Sequence, residues 1–112
     1  MITYEQVLAA NFEVCRQQST KSIVINSDNI KSALSVQQWY TTAEEKSAAL
    51  LRSLVIARGF QDGNKRTSVI VSNILCPFRC TVDESEKVVL DIAQGNLVDV
   101  SSITQKLYLW EK

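Results

Sequence analysis

Apolar and polar positions recur along this chain mostly with the period of helices. Thr3 followed by Gln6 has the spacing of a capping box, and Val7, Leu8, Phe12 and Val14 to Cys15 then repeat roughly as one helix face should. This predicts a first helix over residues 4–18. Ser22-Ile23-Val24-Ile25-Asn26 is short and β-branched, so it reads as an extended piece or small flap. Ser27 or Asp28 can then cap a short helix carrying Ile30, Ala33 and Leu34.

Thr42 with Glu45 makes a second capping box, followed by Ala43, Ala48 to Leu51 and Leu54 to Ala57. So wide an apolar surface suits a central helix buried on several sides. Arg58 to Gly63 breaks the pattern with two glycines, and a further apolar helix runs from Asn64 to about Cys76, where Pro77 stops it. Asp83 with Glu86 opens another helix bearing Val88, Val89, Leu90 and Ile92, which Gly95 is placed to end. Ser102 with Gln105 starts the last, with Ile103, Leu107 and Leu109 turned inward. The fold expected is all-α, a bundle of five to six helices with a short flap. One competing pattern exists: Asp62-Gly63 is a hairpin turn signal, and Ser68 to Val71 could be a strand. The Ala- and Leu-rich run before it is a poor strand, and Val69, Ile70, Ile74 and Leu75 keep helical spacing, so the helix is preferred.

Composition narrows the function. The 112 residues allow one domain, 1–112, with one core, and 46% apolar residues with 21% charged is globular rather than disordered. Twelve basic side chains balance twelve acidic ones, which gives no support to nucleic-acid binding by bulk charge. No apolar run approaches the length of a membrane span, and the first residues lack a signal-peptide pattern. Cys15, Cys76 and Cys80 form no dense framework, so reduced thiols and a cytoplasmic setting are expected. Cys76 and Cys80 would share a helix face, but a metal site wants more thiolates or an imidazole, and they read better as small apolar residues. The chain contains no histidine, which removes imidazole acid–base catalysis and imidazole metal ligation.

The glycine-bounded loop is the candidate for chemistry. A helix start carries amides without intrahelical partners and a partial positive charge. Gly63 permits an unusual backbone angle and a close ligand approach, Asn64 can cap the helix, and Lys65 and Arg66 add full charges at the same end. Together they form an anion cradle suited to a di- or triphosphate. A carboxylate beside bound phosphates, Asp62, can hold Mg2+, and Phe60 would point inward and pin the loop. The bland reading makes Asp62 and Asn64 turn formers and Lys65 and Arg66 solvated charges. A Walker-type loop is excluded, because Asn64 separates Gly63 from Lys65 and a helix precedes the loop.

Phe60-x-Asp62-Gly63-Asn64-Lys65-Arg66-Thr67 resembles the core motif of the Fic/Doc family, H-x-F-x-[DE]-[AG]-N-[GK]-R. Ser47 to Leu51 is similar to the family's helix before the motif, and Ser22 to Asn29 lies where a target-docking flap would. Ile92 to Leu97 and Val100 to Ile103 resemble the closing helices of the Doc toxins, the branch that the short length also favours. The resemblance implies transfer of part of a nucleoside triphosphate such as ATP to a protein hydroxyl. It gives Mg2+ to Asp62, phosphates to Gly63, Asn64, Lys65 and Arg66, and loop anchoring to Phe60. AMP-transferring members usually carry a further arginine where this chain has Val69. Its absence is similar to the phosphate-transferring Doc toxins, whose known target is elongation factor Tu and whose partner is a Phd antitoxin.

The motif histidine is absent. Arg58 stands two residues before Phe60, so either Arg58-Gly59 replaces a histidine-containing pair or that pair is deleted and Ala57-Arg58-Gly59 ends the preceding helix. A guanidinium cannot accept the hydroxyl proton. The expectation is a Doc-like domain with catalysis lost or weakened. The alternatives are an active transferase using Glu44, Glu45 or Asp62 as substitute base, and a non-catalytic helical interaction module. The family's inhibitory helix motif, [ST]-x-x-x-E-[GN], has no match, so control would fall to a Phd-like antitoxin.

Overall fold

The computed structural model describes residues 1–108. Six α-helices follow one another: α1 Tyr4–Gln17, α2 Ser27–Ser35, α3 Ala43–Ala57, α4 Asn64–Leu75, α5 Val82–Ala93 and α6 Val100–Tyr108, with a 3-10 turn at Val36–Trp39 that the periodicity did not predict. Among the described residues there is no strand beyond one isolated antiparallel bridge, Val24 with Phe60. The all-α expectation holds, and the hairpin over residues 62–71 does not form. No helix among the described residues is long and apolar enough to cross a membrane. Leu109, expected inward, lies outside them.

α3 organises the rest. It packs against α2, the 3-10 turn, α4, α5 and α6, while α1 covers α4 and α2. Its apolar positions divide at helical spacing into two faces. Ala48, Leu51 and Val55 meet Val88, Val89 and Ile92 of α5, Leu97, and Ile103, Leu107 and Tyr108 of α6. Leu50 and Leu54 meet Val7 and Ala10 of α1, Ile30 and Ala33 of α2, Val71 of α4 and Phe60 of the loop. The broad surface from Ala43 to Ala57 thus serves two cores. The buried face of α4 is made mostly of small residues, Thr67, Ser68 and Ser72 with Val71. Ser47 Oγ of α3 donates to Ser72 O at 2.8 Å, a close approach that small side chains permit.

Several boundaries differ from the sequence reading. The capping boxes Thr3/Gln6 and Thr42/Glu45 form as expected. α2 is capped by Asn26, whose side chain takes the Asn29 amide, and not by Ser27 or Asp28. α5 begins two residues early, with Thr81 and Glu84 as the capping box in place of Asp83 and Glu86. α6 begins at Val100, and Asp99 accepts from Ser102 N at 2.9 Å. Phe12 is 57% exposed, because it lies well off the stripe formed by Val7, Ala10, Asn11, Val14 and Cys15. Leu90, Ile70 and Ile74 are likewise exposed. Cys76 and Cys80 share no helix face: α4 ends at Leu75, and both thiols pack half-buried against the α5–α6 cluster.

Tyr108 closes the far core. Its hydroxyl has two acceptors at 2.6 Å, Ser47 Oγ and Cys76 O, and its ring meets Phe78 edge-on. Burial raises its pKa above the usual tyrosine range. A raised folded-state value favours the neutral phenol, so this stability is complete below the unfolded pKa of about 10 and is lost as pH rises beyond it. Tyr108→Phe is therefore expected to lower unfolding stability by about 1–2 kcal/mol at neutral pH, by losing a buried hydrogen bond. In urea titrations repeated across alkaline pH, the variant should lose stability less steeply than the parent protein.

Candidate functional site

The loop from Arg58 to Gly63 joins α3 to α4, and its conformation follows from where its backbone groups find partners. α3 ends at Arg58, which takes the left-handed conformation at φ 48° and ψ 49°. Gly59 follows against Ile30. A Cβ there would sit 2.1 Å from Ile30 Cγ1 and 3.2 Å from Asn26 O, so only glycine fits. The flap lies alongside, with Ile25 N and Asn26 N donating to Gly59 O at 2.8 and 3.1 Å and Gln61 N donating to Ile23 O at 2.9 Å. The extended segment expected at Ser22 to Asn26 is thus a partner strand for the loop. Between these bonds Phe60 drops into the core, 3% exposed.

The other edge of Phe60 is paired by a side chain. Asn64 Oδ1 accepts from Phe60 N at 3.0 Å, and Asn64 Nδ2 donates to Phe60 O at 2.7 Å, so the amide imitates a neighbouring strand. This corrects the expectation that Asn64 caps α4. Gly63, left-handed at φ 78°, is the cap residue, and no side chain bonds the helix start. Thr67 N makes the first i→i−4 bond, to Gly63 O at 2.9 Å, which leaves the amides of Asn64, Lys65 and Arg66 without intrahelical partners.

A buried hub beneath the loop escaped the sequence reading. Asn11 is fully buried, and both its amide protons are used, on Asp62 O at 2.8 Å and Thr67 Oγ1 at 3.1 Å. Its Oδ1 accepts from Ser22 Oγ at 2.6 Å, which ties the flap to the same point. The thiol of Cys15 lies 3.7 Å from Asp62 O, and a Cβ on Gly63 would stand 3.0 Å from Val14 Cγ1. The available signal was position: Val7, Asn11 and Val14 share the buried stripe of α1, and a polar residue there must find partners.

Beside the loop opens a cleft of about 390 Å3, lined by Ile25, Val55, Arg58, Phe60, Gln61, Asn64, Lys65 and Ala93. The structure therefore brings Arg58, Phe60, Asn64 and Lys65 to one place. Asp62 and Gly63, both half-buried, and exposed Arg66 belong to the same loop and helix start but do not line the cleft. Among the described residues no carboxylate and no thiol lines it. Glu44 and Glu45 stand at the opposite end of the 15-residue α3, about 20 Å away at 1.5 Å per residue. Among the described residues no group of three or more histidine, cysteine or acidic side chains could hold a metal by itself.

An all-helical domain whose glycine-bounded loop is paired to a flap and leads into a helix without a side-chain cap is the class defined here. Residues 3–76, more than half of the chain, match the Fic/DOC family, and the chain belongs to that family. No curated protein and no solved structure matches it.

The packing of Gly59 yields a sharp expectation. Gly59→Ala should cost about 1–3 kcal/mol through overpacking against Ile30. Ile30→Ala removes the clashing atoms, so the double variant should be less destabilised than the sum of the singles by at least about 1 kcal/mol. Urea unfolding of all four proteins measures this coupling, and strict additivity would contradict the contact.

Proposed function

We propose that this chain is a Doc-like Fic domain that binds a nucleoside triphosphate such as ATP in the cleft beside α4, with protein modification lost or weakened. The observation that carries the reading is the cleft itself. Two cations, Arg58 and Lys65, border a half-enclosed space at a helix start whose first amides lack partners. Phosphates match that donor set. Val55, Phe60, Ala93 and Ile25 supply an apolar wall on which a base or sugar can rest.

Transfer to a protein hydroxyl needs a group that accepts the hydroxyl proton. Arg58 occupies the place where the family motif has histidine, and a guanidinium has no acceptor site. Glu44 and Glu45 are a helix length away, and Asp62 is outside the cleft lining. Loss of a positioned base lowers a rate by about 10²–10⁴-fold. Magnesium is less well supported. Asp62, its expected ligand, does not line the cleft, and its backbone carbonyl is held by Asn11.

The flap supports a protein partner. Because Ile25 N pairs with Gly59 O and Gln61 N with Ile23 O, the peptide groups of Val24 face away from the loop, and Ile23, Val24 and Ile25 are partly exposed. An extended target segment can add to such an edge. The partners proposed are a protein target of the elongation factor Tu kind and, for control, a Phd-like antitoxin in a cytoplasmic toxin–antitoxin pair.

Isothermal titration with ATP and magnesium should show one binding event, weakened at least tenfold by Lys65→Ala. Absence of any heat from the parent protein would remove the reading. Mass spectrometry of elongation factor Tu incubated with the protein and ATP should show no adduct at rates near those of a histidine-bearing Fic domain. Rapid adduct formation would show catalysis to be intact.

A further inference from the structure

We propose that Arg58 is itself a phosphate ligand, and that the cleft binds a nucleoside polyphosphate without a divalent cation. The inference rests on the nucleotide-binding reading above and changes what neutralises the ligand.

The argument begins with the charges that line the space. Arg58 and Lys65 both border the cleft, and among the described residues nothing acidic does. The sole ion pair among the described residues is Arg16 with Glu13 on α1, so neither cleft cation is neutralised by a carboxylate there. Both side chains are exposed enough to move toward a ligand, while the loop backbone beneath them is fixed by Asn11, Asn64 and the flap. Two unpaired positive charges against an apolar wall of Val55, Phe60 and Ala93 concentrate positive potential in the cleft. Arginine adds a planar fork that can hold two oxygens of one phosphate.

A metal-bound nucleotide requires something different. Mg2+ is usually held by one or two protein carboxylates together with the phosphates. The single carboxylate of this loop, Asp62, is not among the residues lining the space that Arg58 and Lys65 share, and its backbone carbonyl is held by Asn11. A divalent cation in the cleft would find no acidic ligand among the described residues that line it, would stand near two like charges, and would compete with them for the same oxygens. The chemistry of the lining therefore selects a bare polyanion. Substitution of a cation where the family motif has histidine removes a proton acceptor and supplies a phosphate contact in the same step.

The test is titration calorimetry of the full chain with ATP, once with excess EDTA and once with excess magnesium. Affinity in EDTA should equal or exceed that in magnesium. Arg58→Gly should weaken binding in EDTA at least tenfold. Its melting temperature should be unchanged or higher, because glycine relieves the left-handed backbone at this position. Arg58→Lys should retain part of the affinity. Binding seen with magnesium alone, or a glycine variant that binds as the parent does, would overturn the metal-free site and leave the nucleotide-binding reading standing. No binding in either buffer would remove both.

Discussion

The peptide groups of Phe60 are hydrogen-bonded to a side chain on one edge and flanked by flap pairing on the other, and the site depends on that arrangement. A loop that buries an aromatic side chain carries its own N–H and C=O inward, where leaving them unpaired costs about 1–3 kcal/mol each. Here Asn64 takes both groups of Phe60, Ile25 and Asn26 donate to the carbonyl of Gly59, and Ile23 accepts from the N–H of Gln61. Asn11 secures the next carbonyl, that of Asp62. With every turn of the loop tied, the α4 start, Lys65 and Arg58 keep a constant relation to one another.

Two glycines make this possible for different reasons. Gly59 is required by contact, since Ile30 occupies the space of any side chain. Gly63 is required by conformation, at φ 78°, as well as by the nearness of Val14 and Asn11. Arg58 is the exception, an arginine in a left-handed position that usually suits glycine or asparagine. Placed there, it ends α3 and lies at the cleft instead of continuing along the helix surface.

Membership of the Fic/DOC family and the lining of the cleft point in partly different directions. The motif that the loop resembles carries an acid–base residue, whereas the polar side chains lining this cleft among the described residues are cations and amides. Such a lining can hold an anion and orient it but has no means of accepting a proton from an incoming hydroxyl. The flap beside it pairs with the loop along one edge and leaves the peptide groups of Val24 facing away, the edge that the proposed recognition of an extended segment would use.

Helix number, the apolar breadth of α3, two of the capping boxes and the break at Arg58 to Gly63 were legible from residue order, because each depends on neighbours within a few positions. The inward turn of Phe60 and the loop's kinship with a family motif were legible for the same local reason. The hub at Asn11 joins residues 51 and 56 positions apart, and the clamp at Asn64 uses a side chain that local pattern would assign to capping. The caps of α2, α5 and α6 fall on Asn26, Thr81 and Asp99, where neighbouring residues fit the same local pattern. Local sequence thus determined where helices and the loop occur, through short-range periodicity and steric rules. Only packing decided which polar groups serve the loop and which face the cleft, because buried donors and acceptors must be satisfied by whatever the fold brings near.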